Sequence, residues 1–383
     1  MTRAEIVVDV AAIRRNVAVL RRFVKVPVMV VVKADGYGHG LAASARAARE
    51  AGAEWLGVAS CQEALAVREA GDTGRVLAWL TVPSDDLTPL VRQGVDVTAY
   101  TVADLHRLAE VARETDLRPR VQLKVDTGLS RGGATMADWP DVCRAARELE
   151  LAGLLKVTGV WSHFSSSEVP DDPANEEQEK VFREALDIAA EAGLRPEVRH
   201  LANSAAALLR PSSRFDLVRV GIASYGLDPA PGLTPELGLV PAMTVRADLA
   251  LVKEVGAGAS VSYNHTWTAD RPTTLGLVPV GYAEGVLRSV GNRAEVLVDG
   301  VRRPVRGTIC MDQFVVDLGG DHPVTGTDVV LWGPGTAGEP TAHDWAAAGE
   351  TICYEIVTRI GGRMTRRHVD SDRSTTAGGE GQK

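Results

Sequence analysis

From Val28 to Ile222 the chain alternates short apolar runs with longer amphipathic stretches rich in alanine and charge. The runs Val28–Val32, Trp55–Val58, Val76–Trp79, Val95–Tyr100, Val121–Val125, Val157–Trp161, Val198–Leu201 and Leu217–Arg219 are short, β-branched and bounded by polar or glycine positions, which predicts buried strands. Between them Leu41–Ala51, Cys61–Ala70, Ala103–Arg113, Ala137–Leu149 and Asn175–Ala192 carry helical periodicity. Eight strand-helix units over roughly 200 residues suit a closed parallel barrel better than an open sheet. In such a barrel, chemistry belongs at the C-terminal ends of the strands.

Beyond about Pro241 the pattern changes to β-branched alternation broken by turns. Glu295–Val298, Asp299-Gly300 and Val301–Val305 predict a hairpin, because Asp-Gly accepts the positive φ angles of a tight turn. Pro304 predicts that the second arm is an edge strand. Val329–Trp332 reads as a further strand and His343–Glu350 as a short helix. The expected class is therefore α/β, a (β/α)8 TIM-type barrel over residues 1–240 followed by a mainly β C-terminal domain over 241–370. The last stretch, 371–383, is rich in Ser, Thr, Gly and charge and predicts a disordered tail. Ile6–Val8 is an apolar run that the pattern assigns to neither domain.

Composition narrows the function classes. Across 383 residues, 45% hydrophobic and 24% charged content suit a globular protein with a large core. A net charge of −8, with both signs mixed along the chain, argues against a nucleic-acid surface. No segment has the pattern of a signal peptide or the length of a membrane span, so the expected compartment is the cytoplasm, without a membrane partner. Cys61, Cys143, Cys310 and Cys353 are far apart and form no metal-binding spacing, which predicts reduced, mostly buried thiols and no structural metal.

The candidate chemistry starts at Lys33. It closes the apolar run Val26–Val32 and opens Ala34-Asp35-Gly36-Tyr37-Gly38-His39-Gly40, so its amine sits at the rim of an apolar core. Desolvation disfavours the charged form, and an uncharged amine can attack a carbonyl. Taken alone, a lysine at a strand end more often reaches into water. The surrounding segment VVVKADGYGHG, residues 30–40, resembles the cofactor-lysine signature of alanine racemases, and further motifs extend the resemblance from about Ile6 to Arg367.

The resemblance implies that Lys33 forms a Schiff base with pyridoxal 5′-phosphate. ANSAA at 202–206 and VRVGIASYGL at 218–227 resemble the segments that hold the cofactor phosphate, which implies that Asn203, Ser204, Gly221 and Ile222 bind it, with hydroxyls from Tyr37 and Tyr354. Independently, loops after the seventh and eighth barrel strands, with N–H groups at a helix start, suit an anion. Read singly, Asn203 and Ser204 are also an ordinary N-cap and Gly221 a turn. Arg219 is implied to face the pyridine nitrogen; a guanidinium only donates, leaving that nitrogen unprotonated. His163, in VWSHFSSSE, would join the hydrogen bonds around the ring. VQLKVDTGLSRGG at 121–133 resembles the segment whose Arg131 holds the substrate carboxylate, and Lys124 matches a position that some members carry as a carbamylated lysine bracing that arginine.

Racemisation removes a proton from one face of Cα and returns one to the other, so two acid/base groups must flank the substrate. Lys33 would serve one face and Tyr263, in SVSYNHTW, the other. The family reading brings Tyr263 from the second subunit of a homodimer, together with Met311 and Asp312 of GTICMDQF, where Met311 contacts the substrate carboxylate, and makes Tyr282 an entrance residue. Asn264 stands where the family often has glycine, and asparagine tolerates left-handed backbone. The implied activity is interconversion of L- and D-alanine, supplying D-alanine for peptidoglycan. The rivals are a racemase of broader substrate range, an amino-acid decarboxylase of the same architecture, and a non-catalytic carrier of the cofactor. The Tyr263 and GTICMDQF motifs argue against the decarboxylase and the β domain against the carrier.

Overall fold

A computed structural model describes residues 3–374. Eight parallel strands form the first sheet: β2 (Val28–Val31), β3 (Trp55–Val58), β4 (Arg75–Ala78), β5 (Asp96–Ala99), β6 (Arg120–Lys124), β7 (Lys156–Trp161), β8 (Val198–His200) and β9 (Val218–Val220). Their order is β8-β7-β6-β5-β4-β3-β2-β9. The seam between β8 and β9 is bridged by two backbone bonds, Asp216 N–H to Arg199 O at 3.0 Å and Arg219 N–H to Ala202 O at 3.0 Å. This is the expected barrel, nearly closed, with a helix after most strands.

The helices carry local signals that start them on register. Ser60 and Glu63 form a capping box at Cys61–Glu69, and Thr101 and Asp104 another at Val102–Thr115. The first helix, Val10–Val24, buries Ile13, Val17, Leu20 and Val24, the three- and four-residue spacing of one helical face.

The second part is a nine-stranded sheet ordered β11-β14-β17-β16-β15-β18-β10-β1-β19. Here β1 is Ala4–Asp9, β10 Met243–Asp248, β11 Leu251–Val255, β14 Thr273–Val278, β15 Glu295–Val298, β16 Val301–Arg306, β17 Phe314–Gly319, β18 Asp328–Trp332 and β19 Thr365–Val369. A small ribbon of β12 (Ser260–Val261) and β13 (Trp267–Thr268) stands apart. The run Ile6–Val8 thus joins the β sheet, between β10 and β19, so the expected 1–240 barrel segment gives its first strand to the other part.

Two further expectations change. Strand β16, which carries Pro304, lies between β15 and β17 and is not an edge; its ladder to β17 begins at Val305, one residue past the proline, so the missing N–H is not needed there. Of the expected tail, Ser371–Ser374 forms a helical turn, because Ser371 bonds Asp9 through N–H and hydroxyl while Asp370 pairs with Arg14 at 2.6 Å. The expectation of a disordered tail over 375–383 concerns residues outside those described.

The two parts meet at the barrel mouth. The helix Cys353–Arg359 packs on the Lys33–Tyr37 turn so closely that a Cβ at Gly38 would lie 2.0 Å from the Val357 carbonyl oxygen. Gly38 also has φ +79°. Gly71, at φ +91°, has open space around it. Gly71→Ala should therefore lower stability by about 1 kcal/mol, whereas Gly38→Ala adds backbone overlap and should lower it by roughly 3 kcal/mol or more. Urea unfolding midpoints of the two variants test this, and equal losses would mean the helix contact is not constraining.

Candidate active site

Lys33 leaves the C-terminal end of β2 and opens a turn of unusual hand. Ala34, Asp35, Gly36 and Tyr37 all have positive φ, between 52° and 63°. The glycine-rich stretch that follows β2 is thus a left-handed turn, held by side chains. Asp35 accepts from Leu41 N–H at 2.8 Å and pairs with Arg366 at 2.6 Å. Glu63, already in its capping box, accepts from Ala34 N–H at 2.7 Å. His39 Nδ1 lies 2.9 Å from Tyr37 O and 3.1 Å from Gly36 O, so Nδ1 carries the proton.

The Lys33 amine is largely shielded from water. Burial, then the nearby Arg131 and Arg219 charges, pull its pKa below the ordinary lysine value, with Glu63 opposing. Lys124, at the end of β6, is buried under the Trp161 and Tyr100 rings, its amine 4.7 and 5.6 Å from their centroids. Burial, with Arg219 and Arg131, lowers it to about 8. Arg131 is exposed on the loop after β6, shaped by Asp126 accepting from Gly128 and Ser130 N–H groups.

Arg219, on β9, is buried in the barrel mouth and donates to Ser162 O at 2.7 Å, Leu201 O at 3.0 Å, His163 Nδ1 at 3.0 Å and His200 Nδ1 at 2.9 Å. Burial lowers its pKa to about 9, which still leaves it charged at neutral pH. Since a guanidinium can only donate, both histidine Nδ1 atoms are acceptors and both rings are neutral; burial and Arg219 hold each well below the ordinary histidine value.

Tyr37 folds back over the start of the last barrel loop. A Cβ at Gly221 would lie 2.3 Å from its hydroxyl oxygen, so glycine is what lets a backbone N–H and this phenol come side by side. Gly221 N–H donates to Ser204 Oγ at 2.9 Å, and Ile222 is buried as the first residue of the following turn. Tyr354, from the Cys353–Arg359 helix, lies with its ring 6.3 Å from that of Tyr37. Hydroxyls of Ser204, Tyr37 and Tyr354 with the Gly221 N–H make a donor set suited to a phosphate ester. Asn203 is the N-cap of Ser204–Leu209, accepting from Ala206 N–H at 3.0 Å and bonding Ser167, which fixes it at the start of the helix beside Ser204.

The remaining residues form a second group on the β part. Tyr263 is 66% exposed, Met311 53% and Tyr282 41%. Their loops are stitched together: Thr308 Oγ1 donates to Tyr263 O at 3.0 Å, Ser262 Oγ to Thr308 O at 2.6 Å, Tyr282 N–H to Cys310 O at 3.1 Å and Ala283 N–H to Met311 O at 2.9 Å. Asp312 pairs with Arg363 at 2.6 Å. Asn264 has φ +62°, the left-handed conformation its position requires. Sequence reading missed Glu63, His200 and Gln122. His200 ends a strand just before Asn203-Ser204, which was the available signal; the other two are legible only from the packing.

The alanine racemase N-terminal domain family model matches residues 8–229 and the alanine racemase C-terminal domain model residues 242–368. The alanine racemase of Frankia casuarinae is 52% identical over 366 residues, covering 95% of each chain. A solved alanine racemase structure from Streptomyces coelicolor has a TM-score of 0.95 at 50% identity, covering 96% of this chain and 98% of that one. Another, from Bartonella henselae with covalently bound pyridoxal phosphate, has a TM-score of 0.86 at 27% identity, covering 96% and 100%.

Proposed function

The chain belongs to the alanine racemase family, isomerases that interconvert L- and D-alanine and supply the D form for peptidoglycan, and from that premise we propose that it uses pyridoxal 5′-phosphate, with Lys33 and Tyr263 as its two acid/base residues and each site built from two copies. The observation that carries the residue roles is the desolvated Lys33 amine beside a phosphate-type donor set, at the mouth of a barrel. The relative from Bartonella henselae holds its pyridoxal phosphate covalently, which supports the same attachment here.

Ser204, Gly221, Ile222, Tyr37 and Tyr354 would hold the phosphate, Arg219 the pyridine nitrogen and Arg131 the substrate carboxylate, a bidentate task for a planar fork. When bound, the cofactor supplies an electron sink that makes the Cα proton of alanine removable at neutral pH. Lys33, biased toward the uncharged form, accepts or returns that proton on one face. Tyr263 acts on the other face, and its exposure on a stitched loop suits delivery to a second copy's mouth. Met311 and Asp312 accompany it, and Tyr282 narrows the entrance. The assembly is thus a homodimer.

Chiral chromatography of protein incubated with L-alanine and with larger amino acids, with and without added pyridoxal phosphate, tests the activity; D-alanine should accumulate and larger substrates should lag. Lys33→Ala should lose the long-wavelength absorbance of attached cofactor and on the order of a thousandfold or more in turnover; an unchanged spectrum removes Lys33 from its role. Mixing inactive Lys33→Ala and Tyr263→Phe chains in equal amounts should restore up to about a quarter of the parent activity, because half the dimers then hold one intact site of two. Mixed dimers without activity would end the shared-site reading.

Lys124 reaches its uncharged form near pH 8, where it can take up carbon dioxide, release a proton and become a carbamate anion able to pair with Arg131. In ¹³C-bicarbonate the carbamate resonance should therefore grow as pH rises through about 8 and vanish in Lys124→Arg. No resonance at about pH 9 would show that the lysine stays an amine.

A further inference from the structure

Behind Arg219 a single file of buried polar groups crosses the barrel from mouth to floor. His200 Nε2 lies 2.7 Å from Gln122 Oε1, and Gln122 Nε2 lies 3.3 Å from Asp96 Oδ2. His200, Gln122 and Asp96 are each fully buried. Asp96 is the first residue of β5, at the floor, and Arg219 stands at the mouth. A barrel interior is ordinarily filled by apolar layers, and buried polar groups are tolerated only when their partners are complete.

The file has a fixed direction because both ends are fixed. Asp96 accepts from Arg120 Nε at 2.9 Å, from Arg75 Nη2 at 3.0 Å and from the Thr158 hydroxyl, so it is an acceptor only. Glu197 closes the floor by pairing with both arginines, at 2.7 and 3.1 Å. The Gln122 amide must therefore turn its NH₂ toward Asp96 and its oxygen toward His200. That oxygen needs a donor, which places the histidine proton on Nε2. Nδ1 is left with a lone pair, and Arg219, which can only donate, finds its acceptor there. Two features pin the file sideways: Trp161 stacks on His200, with centroids 5.6 Å apart and planes within 5°, and a Cβ at position 159 would lie 2.7 Å from the Gln122 amide carbon, so Gly159 makes room for the amide.

We propose that Gln122 and Asp96 are positioning residues: the floor carboxylate sets the amide orientation, the amide sets the His200 tautomer, and the tautomer holds the Arg219 guanidinium in place at the mouth. With the opposite tautomer, Nδ1–H would face an Arg219 N–H, donor against donor, and the guanidinium would have to move. Three hydrogen bonds aligned between a buried cation and a buried anion also polarise one another in the same sense. The tautomer assignment rests on hydrogen bonds alone; its catalytic consequence rests on the reading that Arg219 faces the cofactor.

Neutron diffraction from deuterium-exchanged crystals of the unsubstituted holoenzyme should place a deuteron on His200 Nε2, none on Nδ1, and the Gln122 ND₂ toward Asp96; a deuteron on Nδ1 overturns the proposal. In Gln122→Met, which keeps the volume but not the amide, ¹⁵N NMR of His200 should show the Nδ1–H tautomer appearing, and kcat should fall on the order of tenfold while KM changes little. A folded Gln122→Met protein with an unchanged tautomer overturns the proposal; a changed tautomer with unchanged kcat keeps the hydrogen-bond assignment and overturns the placement of Arg219 at the cofactor. Asp96→Asn should give the same tautomer mixing, since an Asn amide can accept from or donate to Gln122, and a single Nε2–H form in that variant would remove Asp96 from the file.

Discussion

The left-handed turn after β2 is the constraint on which the placement of the site depends. For residues of L configuration such a turn is disfavoured by roughly 1–2 kcal/mol per residue outside glycine, and here Ala34, Asp35 and Tyr37 all adopt it. The strain is offset by contacts from three directions: Glu63 of the neighbouring helix on Ala34 N–H, Arg366 on Asp35, and His368 Nε2 at 2.8 Å from His39 O. Two of these come from the far end of the chain, β19. The β part therefore does more than fill space; without it the turn that carries Lys33 and Tyr37 loses much of what holds it. A strained segment fixed by its surroundings is the expected state of a functional turn.

Charge at the mouth is the second organising feature. Lys33, Lys124, Arg131 and Arg219 act on one another, and the amines yield first because a guanidinium keeps its proton over the whole neutral range. The result is a contrast in side-chain chemistry: the guanidiniums are fixed cations suited to anions, while both amines are biased toward the uncharged form. His163 stays neutral for the same reason, being offered an N–H by Arg219. A mouth with this surplus suits a ligand carrying a phosphate and a carboxylate, since Asp96, at the far end of the barrel, is already paired with Arg75 and Arg120.

Much of this was legible in the sequence. The eight barrel strands fall within a residue or two of the apolar runs, because most are buried on both faces and so lack the alternation that makes a strand ambiguous; β8, with Arg199 exposed, departs from this. The Asp299-Gly300 hairpin followed from turn chemistry, and Asp299 and Gly300 indeed have positive φ. What failed was whatever depends on distant partners. Nothing local says that Ala4–Asp9 pairs with β10 and β19, or that β17 would cover β16 beyond Pro304. Lys33 was legible through its motif, whereas the hand of its turn was not, because Ala, Asp and Tyr have no local reason to adopt it. Gln122 and Asp96 look like ordinary strand residues until the barrel closes around them.

The position of Tyr263 follows the same logic at the level of assembly. An ordinary phenol holds its proton too tightly to serve as a base near neutral pH unless cations or donors stabilise the phenolate. Its own loop exposes it to water and gives it no such environment, while Ser262, Asn264 and His265 around it all hold positive φ, a conformation tied down by Thr308 and Cys310. The barrel mouth has the complementary property, more cations than its own residues neutralise. Bringing the phenol of one copy to the mouth of another would set it beside charges already in place and shield both from water. In the proposed dimer, each half would thus supply what the other lacks: an exposed acid/base residue on a strained loop on one side, and a fixed positive field with a largely shielded amine on the other.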